Sequence, residues 1–141
     1  MVDRNVVLAR IAKIRHSLTL LRKFAALNEE AFLKDPIITA SAERYLQVAI
    51  QAVIDIGNHV VADLDLGSPA DYGEVFRLLG QHRIVPKALA KRLSLMAGLR
   101  NIIVHEYLEI DLELVHRFLR RNLKDFELFI AAVLALVQKS S

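Results

Sequence analysis

The chain has 141 residues, a formal net charge of +3, 54% hydrophobic residues, five Gly, three Pro and no Cys. That composition excludes a disordered or low-complexity chain, a disulfide framework and a thiolate metal site. The mild basic excess permits nucleic acid as a partner without indicating it.

The length suits one domain, 1–141, large enough to bury a sizeable core. The first residues lack the pattern of a secretory signal, and the longest apolar run, Phe129 to Val137, is too short to span a bilayer. The expectation is a soluble, cytoplasmic protein with no membrane partner.

Asp3 is placed to cap a first helix running to about Leu27, with Val6, Val7, Ala9, Ile11, Ile14, Leu18, Leu21 and Phe24 as candidate buried positions. Arg10, Lys13, Arg15, Arg22 and Lys23 make this helix basic. They form either a solvated face or a surface toward RNA. Asn28-Glu29-Glu30 suits a short helical turn, ended at Asp35-Pro36 because proline disfavours helix in the residue before it.

A long helix follows from about Pro36 or Thr39 to Ala62, with Ala42, Leu46, Ala49, Ile50, Val53, Ile54 and Val60 on its apolar side. Its polar stripe carries Arg44, Gln47, Gln51, Asp55, Asn58 and His59, and no lysine. Amides, Asp and His are short, directional hydrogen-bonding groups, typical of a polar interface or pocket wall. A partly buried structural network accounts for them equally well. Asp55 and His59 share a face, but two ligands without a third make a poor metal site. Gly57, costly within a helix, points to close approach of a neighbouring backbone.

Residues 63–69 read as a loop, and Asp71 with Glu74 as a capping pair for a short helix to about Gly80. A central helix is expected from Pro86 to about Tyr107. After a short connection, Asp111 caps a last amphipathic helix to about Gln138, with Leu114, Val115, Phe118, Leu119, Leu123, Phe126, Ile130, Val133, Leu134 and Val137 inside. No strand pattern and no internal repeat stands out. The fold class expected is an all-α helical bundle.

The central helix holds the main anomaly. At roughly 100° per residue, Arg100 shares a face with Leu93, Met96, Ala97, Ile103, Val104 and Tyr107, while Leu95, Leu99 and Ile102 make the other side apolar too. A helix apolar nearly all round is central or packs on two partners. A guanidinium there must be paired, or must line a pocket or subunit seam where a ligand anion pairs it. Arg100 and His105 point roughly 140° apart, so they flank one ligand only if it lies across the helix or a second chain faces them. Chemically they suit RNA cleavage: the imidazole takes the 2′-hydroxyl proton and the guanidinium stabilises charge growing on phosphorus. Asn101, on the face of His105, is placed to orient the imidazole or bind phosphate. The structural alternative pairs Arg100 with an acid such as Asp55 and leaves His105 a satisfied core residue.

Arg100-(four residues)-His105-Glu106-Tyr107 resembles the R-x4-H-x-Y motif of the HepT-like branch of the HEPN superfamily. Two further stretches resemble the same family: Glu43 to Gln47 running on to Ile54-Asp55-Ile56-Gly57-Asn58-His59, and Pro69 to Phe76. The resemblance implies a HEPN-type up-and-down bundle of four to five helices, homodimeric. It further implies a toxin of a type VII HepT/MntA toxin–antitoxin module with metal-independent endoribonuclease activity and no cofactor. By carry-over, Arg100 and His105 are the catalytic pair and Asn101 supports them. The Gln51, Asp55, Asn58 and His59 side lines an RNA cleft at the dimer interface. The partner implied is an MntA-like nucleotidyltransferase antitoxin that neutralises the toxin by AMP transfer to Tyr107. A reading from another class keeps the chain non-catalytic, the helical substrate-binding partner of a minimal nucleotidyltransferase.

Overall fold

Helix-forming segments separated by capping residues dictate the architecture. In the computed structural model, residues 2–104 and 110–140 are described, Ser140 by its backbone only, and His105, Glu106 and Tyr107 lie outside them. The elements are α1 (Arg4–Ala25), α2 (Glu29–Leu33), α3 (Pro36–Asp63), α4 (Tyr72–Gln81), α5 (Lys87–Val104) and α6 (Leu112–Ser140). The single-turn α2 brings the number to six, and no strand occurs among the described residues.

Each start is set by a short polar side chain. Asp3, Asn28, Asp35 and Asp71 accept backbone N–H groups of the first turns of α1 to α4. Asp111 accepts from Leu114 N at 3.2 Å ahead of α6. These bonds satisfy donors that a helix start leaves open. α3 and α4 end alike: Leu66 N donates to Val61 O and Ile84 N to Leu79 O, with Asp65 (φ 53°) and Arg83 (φ 59°) left-handed. This is the Schellman closure, made here without glycine.

α1 runs antiparallel to both α3 and α6. α1 lies along α3, with Asp3 N donating to His59 Nε2 (3.1 Å) at one end and His16 meeting Tyr45 toward the other. α6 returns along α1, Glu127 accepting from Arg22 (3.0 Å) and both His116 Nε2 and Arg120 approaching Leu27 O (2.8 and 3.3 Å). His116 also stacks on Phe32 of α2, centroids 4.9 Å apart. One core cluster joins all six helices and includes Phe32, Ile50, Phe76, Leu93 and Phe129. Asp125 enters it almost fully buried, 1% exposed, and is neutralised by Arg92 Nε at 3.0 Å.

The buried positions expected on α3 are all buried, whereas Val6, Ala9 and Leu114, expected inside, are exposed. Gly57 marks a close approach of α4 side chains, not of the backbone expected: a Cβ there would meet Val75 Cγ1 at 2.9 Å. Gly80 does the same between α4 and α5, 2.8 Å from Ala90 Cβ. α5 differs from the all-round burial expected of it. Leu93, Met96, Ala97 and Leu99 are buried, but Leu95 and Ile102 are 69% and 53% exposed. The core thus covers one flank of α5 only, because α3, α4 and α6 all lie on that side.

Candidate active site

Two helix ends build the site. α4 starts at Tyr72, fixed by Asp71 Oδ1 accepting from Glu74 N (2.8 Å) and by Glu74 accepting from Ala70 N (3.1 Å). The antiparallel α5 is tied to this end by Ser94 Oγ, which donates to Gly73 O at 2.9 Å. Further along α5, Arg100 is carried over Tyr72, its guanidinium carbon 5.6 Å from the ring centroid. A cation over an aromatic face gains about 1 kcal/mol, more when desolvated.

Arg100 is otherwise poorly satisfied. Nη1 donates to Asn101 Oδ1 at 3.4 Å, and the buried Nε has no hydrogen-bond partner among the described residues. No carboxylate among them forms an ion pair with it, so the expected alternative of a pair with Asp55 does not occur. A half-buried cation held against a neutral ring keeps its charge available to an incoming anion.

The α3 group is engaged elsewhere. Gln51 Nε2 donates to Asp55 Oδ1 (2.8 Å), and Asp55 Oδ2 lies 3.6 Å from Arg10 of α1. His59 Nε2 lies 3.1 Å from Asp63 Oδ2 and 3.1 Å from Asp3 N. One nitrogen either accepts from Asp3 or donates to Asp63, so the ring's tautomer or charge selects the partner. Asn58 is exposed. Within one chain, no hydrogen bond or ion pair among the described residues joins these four side chains to Arg100. Nor does any group of three His, Cys, Asp or Glu there converge as a metal site.

Tyr72 is the residue that sequence reasoning missed. It stood inside one of the family-like stretches but received no role, since nothing in its spacing points to a partner 28 positions away. The one available signal was the unpaired Arg100, which required some such neighbour.

The family model described as Ribonuclease HepT-like matches residues 14–133. The mRNA nuclease HepT of Shewanella oneidensis is 32% identical over 131 residues, 93% of this chain and 98% of that protein. The tRNA nuclease HepT of Aphanizomenon flos-aquae is 31% identical over 94% of this chain and 90% of that one. Among solved structures, the tri-AMPylated Shewanella oneidensis HEPN toxin, solved in complex with MNT antitoxin, superposes with a TM-score of 0.86 at 32% identity, covering 94% of this chain and 99% of that one. YutE of Bacillus subtilis, a cytosolic protein of unknown function, shares the fold at a TM-score of 0.86 and 18% identity, covering 99% of this chain and 93% of that chain. No described helix is long and apolar enough to cross a membrane. With the fold, the R-x4-H-x-Y residues and these similarities in agreement, the chain belongs to the HepT-like ribonuclease family.

Proposed function

We propose that this ribonuclease is the toxin of a HepT/MntA-type toxin–antitoxin pair, one domain throughout, acting as a cytoplasmic homodimer on RNA. The observation that carries the reading is the Arg100 guanidinium, half-buried against Tyr72 and without a carboxylate among the described residues. A charge kept in that state suits an anion that comes and goes.

In the proposed reaction, His105 removes the proton of an RNA 2′-hydroxyl. The 2′-oxygen attacks the adjacent phosphorus and the bond to the 5′-oxygen breaks. Products are a 2′,3′-cyclic phosphate and a 5′-hydroxyl, the leaving oxygen taking a proton from imidazolium or water. Arg100 stabilises the charge that builds on the non-bridging oxygens, with Asn101 beside it. No metal or cofactor takes part. Across a two-fold, the Gln51, Asp55, Asn58 and His59 side of α3 lines the cleft of the facing chain. AMP placed on Tyr107 by a nucleotidyltransferase antitoxin sets a phosphate in the anion site and blocks it. The Shewanella relative, tri-AMPylated in complex with its MNT antitoxin, supports this reading of the partner.

The test is cleavage of end-labelled tRNA and a model mRNA by AMP-free protein in the presence of chelator, beside His105→Ala. Cyclic-phosphate ends that survive chelator and vanish in the variant are expected. Absence of cutting by AMP-free wild type sinks the catalytic reading in favour of a non-catalytic partner of a nucleotidyltransferase.

A further inference from the structure

We propose that the seam between α1 and α3 is an extension of the RNA cleft, a groove that runs from its Gln51 and Asp55 edge and holds a single-stranded stretch of the substrate away from the cut. The proposal rests on the ribonuclease reading for its choice of ligand, but its geometry is independent of Arg100.

The seam is open where α1 and α3 face each other with small side chains, leaving a groove of about 750 Å³ whose wall includes Lys13, His16, Ser17, Arg44 and Tyr45. Through Lys13 and Arg44 it continues into a smaller hollow of about 190 Å³ that ends at Gln51 and Asp55. From Ala40 to Asp55 the α3 wall is about 22 Å long at the rise of an α-helix, room for several nucleotides.

Three observations select the occupant. The first is charge. Lys13 and Arg44 stand on opposite walls and form no ion pair among the described residues, whereas Asp55 at the far end is already matched by Arg10. Two exposed cations flanking one groove favour an anion between them, and a backbone phosphate is such an anion. The second is the unsatisfied polar atoms. Ser17 is 1% exposed and lines the groove, yet its Oγ has no hydrogen-bond partner among the described residues, and neither has Gln51 Oε1 in the hollow. A buried hydroxyl normally finds a partner within the protein. Both atoms are closed to water in the free chain, so a base edge supplies that partner only as the groove wall opens on binding. The third is aromatic surface. Tyr45 and His16 meet edge to face on the groove wall, centroids 6.3 Å apart and planes at 69°. Rings of this kind are stacking platforms for unpaired bases, which every base can use whatever its sequence. An apolar helix from another protein would leave both cations and the hydroxyl unpaired. The basic face of α1 thereby acquires a use beyond solvation.

The experiment measures binding of a fluorescein-labelled, mixed-sequence oligonucleotide of about a dozen residues, methylated at every 2′-oxygen so that it cannot be cut. Anisotropy is followed at about 50 and about 200 mM salt. Lys13→Gln with Arg44→Gln is expected to weaken binding about tenfold at low salt and to flatten the log–log salt slope by about 1.4, two phosphate contacts' worth for a single strand. Tyr45→Leu is expected to weaken binding about fivefold with the slope unchanged, the mark of stacking rather than charge. Cleavage of the dinucleotide UpA, too short to reach the groove, is expected to stay at the wild-type rate in the double variant. Both changed cations are exposed, so folding is not at risk. Unchanged affinity and slope in the double variant overturn the proposal and leave the ribonuclease reading standing. Wild type that fails to bind the probe overturns it too. A double variant that binds the probe normally but sediments differently assigns the groove to contact between chains. Wild type that binds the probe through these residues but cuts no RNA removes the catalytic reading and keeps the groove.

Discussion

Arg100 and Tyr72, 28 positions apart in sequence, meet with the guanidinium carbon 5.6 Å from the ring centre, and this contact joins the start of α4 to the last described turn of α5. Its strength depends on the face of the ring and not on the phenol hydroxyl. Tyr72→Phe is therefore expected to keep wild-type cleavage. Tyr72→Leu, which removes the π face, is expected to lower kcat about fivefold, matching roughly 1 kcal/mol of lost positioning. Single-turnover cleavage of a labelled RNA separates the two. Equal loss in both variants shows that the hydroxyl, and not the ring, matters.

Arg100 also opposes stability to function. A half-buried cation with an unsatisfied Nε weakens the fold, so Arg100→Leu is expected to hold or raise Tm while cleavage disappears. Arg100→Lys keeps the charge but loses the planar fork, and about a 10²-fold fall in cleavage is expected. A large drop in Tm for Arg100→Leu would mean the guanidinium is structural.

The glycine contact between α4 and α5 sets their separation. At Gly80 a methyl group would stand 2.8 Å from Ala90 Cβ, an atom with no rotamer through which to move away. Gly80→Ala gains helix propensity of about 1 kcal/mol but forces the two helices apart. The expected balance is a loss of about 1–2 kcal/mol in urea unfolding. Cleavage should fall too, because α4 carries Tyr72. Combination with Ala90→Gly restores the space and should recover much of both losses.

Asp125 depends on one partner across the α5–α6 packing. Arg92 is 38% exposed while Asp125 is 1% exposed, so removing the arginine leaves the carboxylate with only the long donation from Asn122 Nδ2 (3.4 Å) among the described residues. Arg92→Met is expected to cost about 2 kcal/mol, below the value for a fully buried pair because water still reaches one side. Arg92→Met with Asp125→Leu should regain most of it. A double-mutant cycle from urea midpoints measures the coupling, and a coupling near zero refutes the dependence.

Much of this fold was legible because its signals are local. Asp3, Asn28, Asp71 and Asp111 announce helix starts within three residues of themselves, and the α3 periodicity placed its buried face correctly, whereas Asp35 reads in sequence as the end of the preceding turn and caps α3 instead. Arg100 was legible as a charge in an apolar stripe. What could not be read is long-range. Periodicity shows that Leu95 and Ile102 are apolar but not that the described helices leave both exposed. The polar stripe from Gln51 to His59 was visible as a network, yet its partners Arg10, Asp3 and Asp63 depend on which helix runs beside α3. Tyr72 had no spacing to reveal it at all. His105 and Tyr107, central to the motif, lie outside the described residues, so the motif itself still carries their roles.

The half-covered α5 bears on how substitutions in this chain should be interpreted. Leu93 and Met96 are sealed in the core, while Leu95 and Ile102 on the same helix are largely exposed. A map of mutational tolerance scored by protease resistance would therefore mark the first pair as intolerant and the second as permissive. A map scored by growth arrest in cells would again mark the first pair as intolerant, whatever the mechanism. Positions where the two maps part company, with Leu95 and Ile102 foremost, are those whose oiliness answers to something outside the chain's own interior.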